Sequence, residues 1–152
     1  MNVYPYSTHR IDDRWGKQIQ RTFQGKIVDG VLTTQPGEAA IPWMIHSNPS
    51  LHYISDFRIR LKLTEEGAEG LWGGYTDIES FYYAVNKSFS THHLSYGQGS
   101  SPSLFITLHK LADGPPNAAG ERTSISSAFN VTFARAFIVR SQPSERLSRA
   151  SD

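Results

Sequence analysis

The chain has 152 residues, which sets one domain as the prior and is enough to bury a core. A formal net charge of +1 supplies no general attraction to phosphate or to an anionic membrane, so no nucleic-acid partner is expected. With no cysteine the chain carries no disulfide, thiolate metal site or cysteine nucleophile. No run approaches the roughly 20 apolar residues of a membrane-spanning helix.

Residues 1–22 show neither a helical nor a strand period and read as an N-terminal arm, with Tyr4, Tyr6, Ile11 and Trp15 available to dock on the body. The opening MNVYPYSTHRIDDRWGK lacks the apolar segment of a signal peptide. The chain is therefore expected to be cytoplasmic, or else a mature or excised part of an exported protein. From Phe23 the pattern becomes that of strands. Phe23–Val28 and Val31–Thr34 flank Asp29-Gly30, the pair that a two-residue type I′ hairpin requires.

Ile41–His46 reads as a further short strand, with Pro42 marking an edge, and Asn48-Pro49-Ser50 as a turn. Next comes the clearest alternation in the chain. Leu51, Tyr53, Phe57, Ile59, Leu61 and Leu63 alternate with His52, Asp56, Arg58, Arg60 and Lys62, which assigns the first set to a core and the second to solvent. Glu65-Glu66-Gly67 turns the chain into Ala68–Tyr75. Gly70, Gly73 and Gly74 within that strand predict a bulge or a close backbone approach.

The stretch at about 76–113 has a helical grammar. Thr76-Asp77-Ile78-Glu79 has the form of a capping box, and Ile78, Phe81, Tyr82, Val85 and Phe89 share one helix face. Ser101-Pro102 opens a second helix bearing Leu104, Leu108 and Leu111, which Gly114-Pro115-Pro116 ends. Ile125–Arg140 reads as one long strand or two consecutive ones. Apolar residues on both of its faces place it centrally in a sheet. Residues 141–152 are polar and patternless and are expected to be a disordered tail.

The domain thus spans 23–140 and is mainly β (α+β), an antiparallel β-sandwich or open barrel with an inserted helical hairpin.

The chemistry-bearing residues are few. His92 and His93, beyond the first helix, and His109, on the second, would form an imidazole cluster if the helices pair. Such a cluster suits zinc, copper or iron, although its spacing matches no metalloenzyme motif and no cofactor is predicted from it. The simpler reading has His92 and His93 at a helix C-terminus, where cations are favoured, and His109 at the core's edge. Gly97-Gln98-Gly99-Ser100-Ser101 leads into a helix N-terminus but lacks a phosphate-loop lysine. Asp77, Glu79, Glu65, Glu66 and Glu69 are accounted for by a helix start and a turn.

Arg58, Arg60 and Lys62 stand on one strand face, able to meet an anionic partner or to form a solvated row. Trp43, Trp72, Tyr75, Tyr82, Tyr83 and Tyr96 are either core or a platform for a sugar or other small ligand. The ligand- or partner-contact set is therefore Tyr96, Gln98, Tyr83, Trp72, Arg58 and Arg60.

The segments GGYTDIE, THHLSYGQ, SPSL and ISSA resemble the C-terminal portion of uncharacterised exported proteins of proteobacteria. The likeness covers about the second half of the chain. It implies a periplasmic or extracytoplasmic setting and a module of something longer, and it transfers no functional residue. The leading expectation is a non-catalytic binding or assembly domain whose contact surface is the helical hairpin and its histidine loop. A protein partner or a homo-oligomer would be its counterpart. The alternatives are a small His-ligated metalloprotein and an aromatic-lined module for a small ligand or carbohydrate.

Overall fold

The computed structural model describes residues 7–45, 48–88 and 101–139. Within them the chain is mainly β. Strands β2 (Gly25–Val28), β3 (Val31–Thr34), β4 (Gly37–Ile45), β5 (Asn48–Leu63), β6 (Gly67–Asp77) and β7 (Ser124–Ala134) form one open antiparallel sheet. Its order is β2-β3-β5-β6-β7, with β4 also on β5, and it does not close into a barrel. Helices α1 (Ile78–Lys87) and α2 (Ser101–Lys110) are inserted between β6 and β7.

The β2–β3 hairpin forms as its turn residues dictate. Asp29 and Gly30 both take positive φ, 49° and 75°, and Val28 pairs with Val31. β5 is the spine. Its first half pairs with β4, its second half with β3, and both halves pair with β6 on the other side. Where β3 gives way to β4, the amide of Ile59 is taken up by Thr34 Oγ1 at 2.9 Å.

Midway along β5 lies a β-bulge. The β5–β6 register shifts between Ser55 and Arg58, and Asp56 adopts a φ of 49°. One extra residue exchanges the two faces of a strand. Upstream of the bulge His52 and Ile54 are buried, and downstream Phe57 and Leu61 are. This corrects the uniform alternation read from the sequence: His52 is 6% exposed, whereas Tyr53 is 42% exposed.

The sheet is strongly curled toward its inner face. Trp43 on β4 and Phe129 on β7 have ring centroids 6.1 Å apart. Three flat interstrand spacings would separate those strands by about 14 Å. α1 lies across the hollow, with Phe81 edge-on to Trp43 at 6.4 Å and to His52 at 6.0 Å. Ile78 is fully buried, and its amide donates to Thr123 O at 3.0 Å. Ala39, Ile54 and Phe57 form the adjoining core, packed by Phe23, Ile41, Ile59 and Trp72.

Four further details depart from the sequence reading. The α1 cap is Asp77, whose carboxylate accepts from Ser80 N at 2.7 Å, while the Thr76 hydroxyl is engaged with His52 and Ser127. Asn48–Ser50 opens β5 instead of turning, with Asn48 opposite Ile45. β7 is an edge strand among the described residues, paired with β6 on one side, and of its apparent second apolar face Ala136 and Ile138 lie in another element, the strand Ala136–Val139. After Arg135 the chain leaves the sheet, and β8 (Ala136–Val139) pairs in parallel with β1 (Ser7–Arg10). The expected arm thus holds a strand, and also a 3-10 segment, Asp13–Ile19, that is broken at Gly16.

The upstream end of β7's open edge is covered locally. Asp113 accepts from Ser126 N at 2.6 Å and Ser126 Oγ at 2.5 Å, and Gly114 N donates to Ser124 O at 3.0 Å. Those bonds to Ser126 hold the Asp113 carboxyl below the usual carboxylate range. The expected tail, 141–152, lies outside the described residues.

Candidate functional site

The two faces of the sheet differ in kind. On the inner face His52 is stacked on Trp43 at 4.6 Å with 10° between the rings. Its Nε2 lies 2.9 Å from Thr76 Oγ1, which lies 2.5 Å from Ser127 Oγ. This chain of three polar groups crosses β5, β6 and β7 beneath α1. Burial lowers the His52 pKa to about 4, so the ring is neutral at physiological pH, and its Nε2 has a hydrogen-bond partner inside the protein.

The outer face has the bulge at its middle, and at its β4 end Tyr53 donates its hydroxyl to Gln18 Oε1 of the 3-10 segment at 3.3 Å. Along β6, Gly73 stands beside Arg58 of β5 and Ala128 of β7. A glycine and an alanine between larger neighbours leave a depression. It continues as a groove of about 770 Å³ along Thr33, Arg58, Arg60, Leu71, Tyr75 and Ser126. Gly74 keeps the strands close enough to form its floor, since a Cβ there would stand 2.5 Å from Ser55 O. Past Asp56 and Tyr75 a second groove of about 790 Å³ carries Glu38, Tyr53, Asp77 and Glu79.

Charges of both signs lie along this surface. Arg58, Arg60 and Lys62 stand toward one end, with Glu69 beside Lys62, and Glu38, Asp77 and Glu79 toward the other, with Asp56 between. Four residues of strand separate Asp56 from Arg60, about 13 Å. The side chains of Arg58, Arg60, Glu38 and Asp56 make no ion pair among the described residues. Tyr53 and Leu71, 42% and 47% exposed, add apolar area at either end. Asp56 at positive φ is a conformation that Asp tolerates better than most residues, and it places its carboxylate on the rim of both grooves.

Of the residues singled out from sequence, Arg58, Arg60 and Trp72 all line one groove. Trp72 also packs inward against Phe57, Phe129 and Phe133, with ring centroids 5.5–6.3 Å apart. Tyr83 is not with them; it stands on α1, 67% exposed. Tyr96, Gln98, His92 and His93 lie outside the described residues. His109 sits against Phe105, ring centroids 4.4 Å apart, with its Nε2 3.6 Å from Glu79 Oε1. With the 5.0 Å contact of Tyr82 and Phe105, this packs the two helices against each other. No group of three or more His, Asp or Glu among the described residues is placed to hold a metal ion.

Sequence reasoning missed Asp56, Tyr75 and Glu38 as one site. Their common signal was the Ser55-Asp56 pair interrupting the β5 alternation opposite a glycine-rich β6. No protein-family model matches this chain, and searches of curated proteins and of solved structures return no match. No helix among the described residues is long and apolar enough to cross a membrane.

Proposed function

We propose that this chain is a binding and assembly module that docks a protein partner on the outer face of its sheet, around the Asp56 bulge. The observation that carries the reading is the charged groove, with Arg58 and Arg60 in no ion pair toward one end, Asp56 and Glu38 in none toward the other among the described residues, and exposed Tyr53 and Leu71 alongside. Unpaired charges of both signs beside apolar side chains are what a polypeptide surface can match, and such complementarity fixes register and orientation. The bulge supports the same reading, because it supplies a rigid β-sheet floor under the site. The buried His52 faces the opposite side of the sheet, within the packed core.

Photo-crosslinking tests this reading. A benzophenone amino acid is placed at Leu71 in one full-length protein and at Tyr83 on α1 in another, each irradiated in its native cells. A defined protein adduct from the Leu71 position supports the groove as the contact surface. Adducts from the Tyr83 position alone would overturn it and return the contact to the helical hairpin.

A further inference from the structure

We infer that two copies of this chain join by pairing the free edge of β7 antiparallel with the same edge of the second copy. This contact goes beyond the docking reading and uses a different surface. In β7, Ser124 O and Ser126 N turn away from β6, where Gly114 and Asp113 take them up. Backbone direction alternates along a strand, so the N–H and C=O groups of Ala128, Asn130, Thr132 and Ala134 turn the same way. None of them has a partner among the described residues.

Exposed strand edges are ordinarily blunted by charge, proline or shortness. The other edges of this sheet follow that rule: β2 is four residues long and carries Lys26, and β4 holds Pro42 and Glu38. β7 does not. Over its 11 residues, SISSAFNVTFA, it has no charge, no proline and no glycine.

The order of residues along this edge points to its occupant. Ala128 to Ala134 reads AFNVTFA, the same in both directions except that Asn130 exchanges with Thr132. An isologous interface needs a patch that complements itself under a two-fold rotation. With the axis at Val131, Phe129 stands opposite Phe133 of the second copy, Val131 opposite Val131, Asn130 opposite Thr132 and Ala128 opposite Ala134. Aromatic then meets aromatic and β-branched meets β-branched on the inner side, pairs that stabilise a sheet. Phe133, 41% exposed in the single chain, gains cover. The outward-turned backbone groups meet as hydrogen-bonded pairs.

The ends fit the same register. Ser126, where Asp113 blocks the edge, falls opposite residue 136 of the second copy, and there the chain has already left the sheet. An axis at Asn130 would instead set Ala134, still in the strand, against the Asp113 carboxylate. Each copy has one such edge, so pairing stops at two chains and leaves both outer-face grooves uncovered. Seven residues of strand by one sheet thickness is about 24 by 10 Å, well under the roughly 800 Å² that a standard interface takes from each partner. The dimer is therefore weak and concentration-dependent.

Sedimentation equilibrium of the full chain over a range of concentrations tests this, with two variants. One carries Asn130→Lys with Thr132→Lys, the other Asn130→Glu with Thr132→Glu, both positions being exposed. The wild type should approach about 34 kDa, twice the 17.0 kDa chain, as concentration rises. Each variant sets like charges opposite each other twice and should dimerise about 30-fold more weakly. An equimolar mixture sets lysine against glutamate and should regain a 1:1 dimer, which also shows that both fold. Hydrogen exchange of the wild type reads the edge directly: the amides of Ala128, Asn130, Thr132 and Ala134 should slow as concentration rises, while those of Phe129, Val131 and Phe133, turned toward β6, should change little.

A wild type that stays single at every concentration overturns the inference and leaves the edge to a strand of a different protein. A dimer whose four outward amides exchange as fast as in the single chain overturns it too, as does a dimer indifferent to both variants.

Discussion

Acidification should loosen this fold over a defined pH window, and His52 should be the cause. Unfolded, a histidine takes its proton near pH 6.5; in the fold His52 does so only near 4, because burial penalises the charged ring. Between those values the unfolded chain binds one more proton than the folded one, so stability falls as pH falls. The loss begins near pH 6.5, is complete near pH 4 and amounts to about 3 kcal/mol at about 1.4 kcal/mol per pH unit. Asp12 and Asp113 have carboxyls held below the usual value by Arg14 and Ser126 respectively, and they titrate under this window.

The assay is urea unfolding at half-unit steps from pH 7.5 to 4.5, on the wild type and on His52→Gln. Glutamine keeps a partner for Thr76 but cannot take up a proton there. The variant should be less stable overall, because it loses the stacking on Trp43, and its stability should change much less across the window. A wild-type stability that is flat from pH 7 to 4.5 would refute the reasoning. So would an undiminished slope in His52→Gln.

Asp77→Ala should cost about 1 kcal/mol in thermal or urea unfolding, as the loss of an N-cap does. Gly74→Ala should cost about 1–3 kcal/mol in the same assay, because its Cβ would press on the Ser55 carbonyl and on Ile54. Asp113→Ala should speed hydrogen exchange at the Ser126 amide severalfold, since that carboxylate is the amide's acceptor at the sheet edge. Unchanged exchange there would mean that the edge is protected by something else.

What the sequence reveals about this fold is what local chemistry decides. Asp29-Gly30 specifies its hairpin because both residues accept positive φ, and the period of Ile78, Phe81, Tyr82 and Val85 specifies a helix face. What it conceals is set by pairing across long separations. The extra residue at Asp56 exchanges the faces of β5, and only the register against β6 shows it. That exchange takes His52 from an expected solvent position into the core. β8 looked like a continuation of β7 because Arg135 is one residue in an apolar run, yet it pairs with a strand near the other end of the chain.

The candidate site follows the same division. Arg58 and Arg60 were legible because alternation sets them side by side. Glu38 was not, and Tyr75 stood out only as one aromatic among six, since the two come from β4 and β6 and meet Asp56 only after the sheet forms. The glycines of β6 announced a close approach without saying which face would carry the groove.

The most direct measurement of the central claim is hydroxyl-radical footprinting of the side chains in the native assembly and in the isolated chain. Tyr53, Leu71, Tyr83 and Ile106 are all more than 40% exposed in the isolated structure and can report. Assembly should protect Tyr53 and Leu71 while leaving Tyr83 and Ile106 labelled as before. Protection confined to Tyr83 and Ile106 would contradict the account and make the helical hairpin the contact surface.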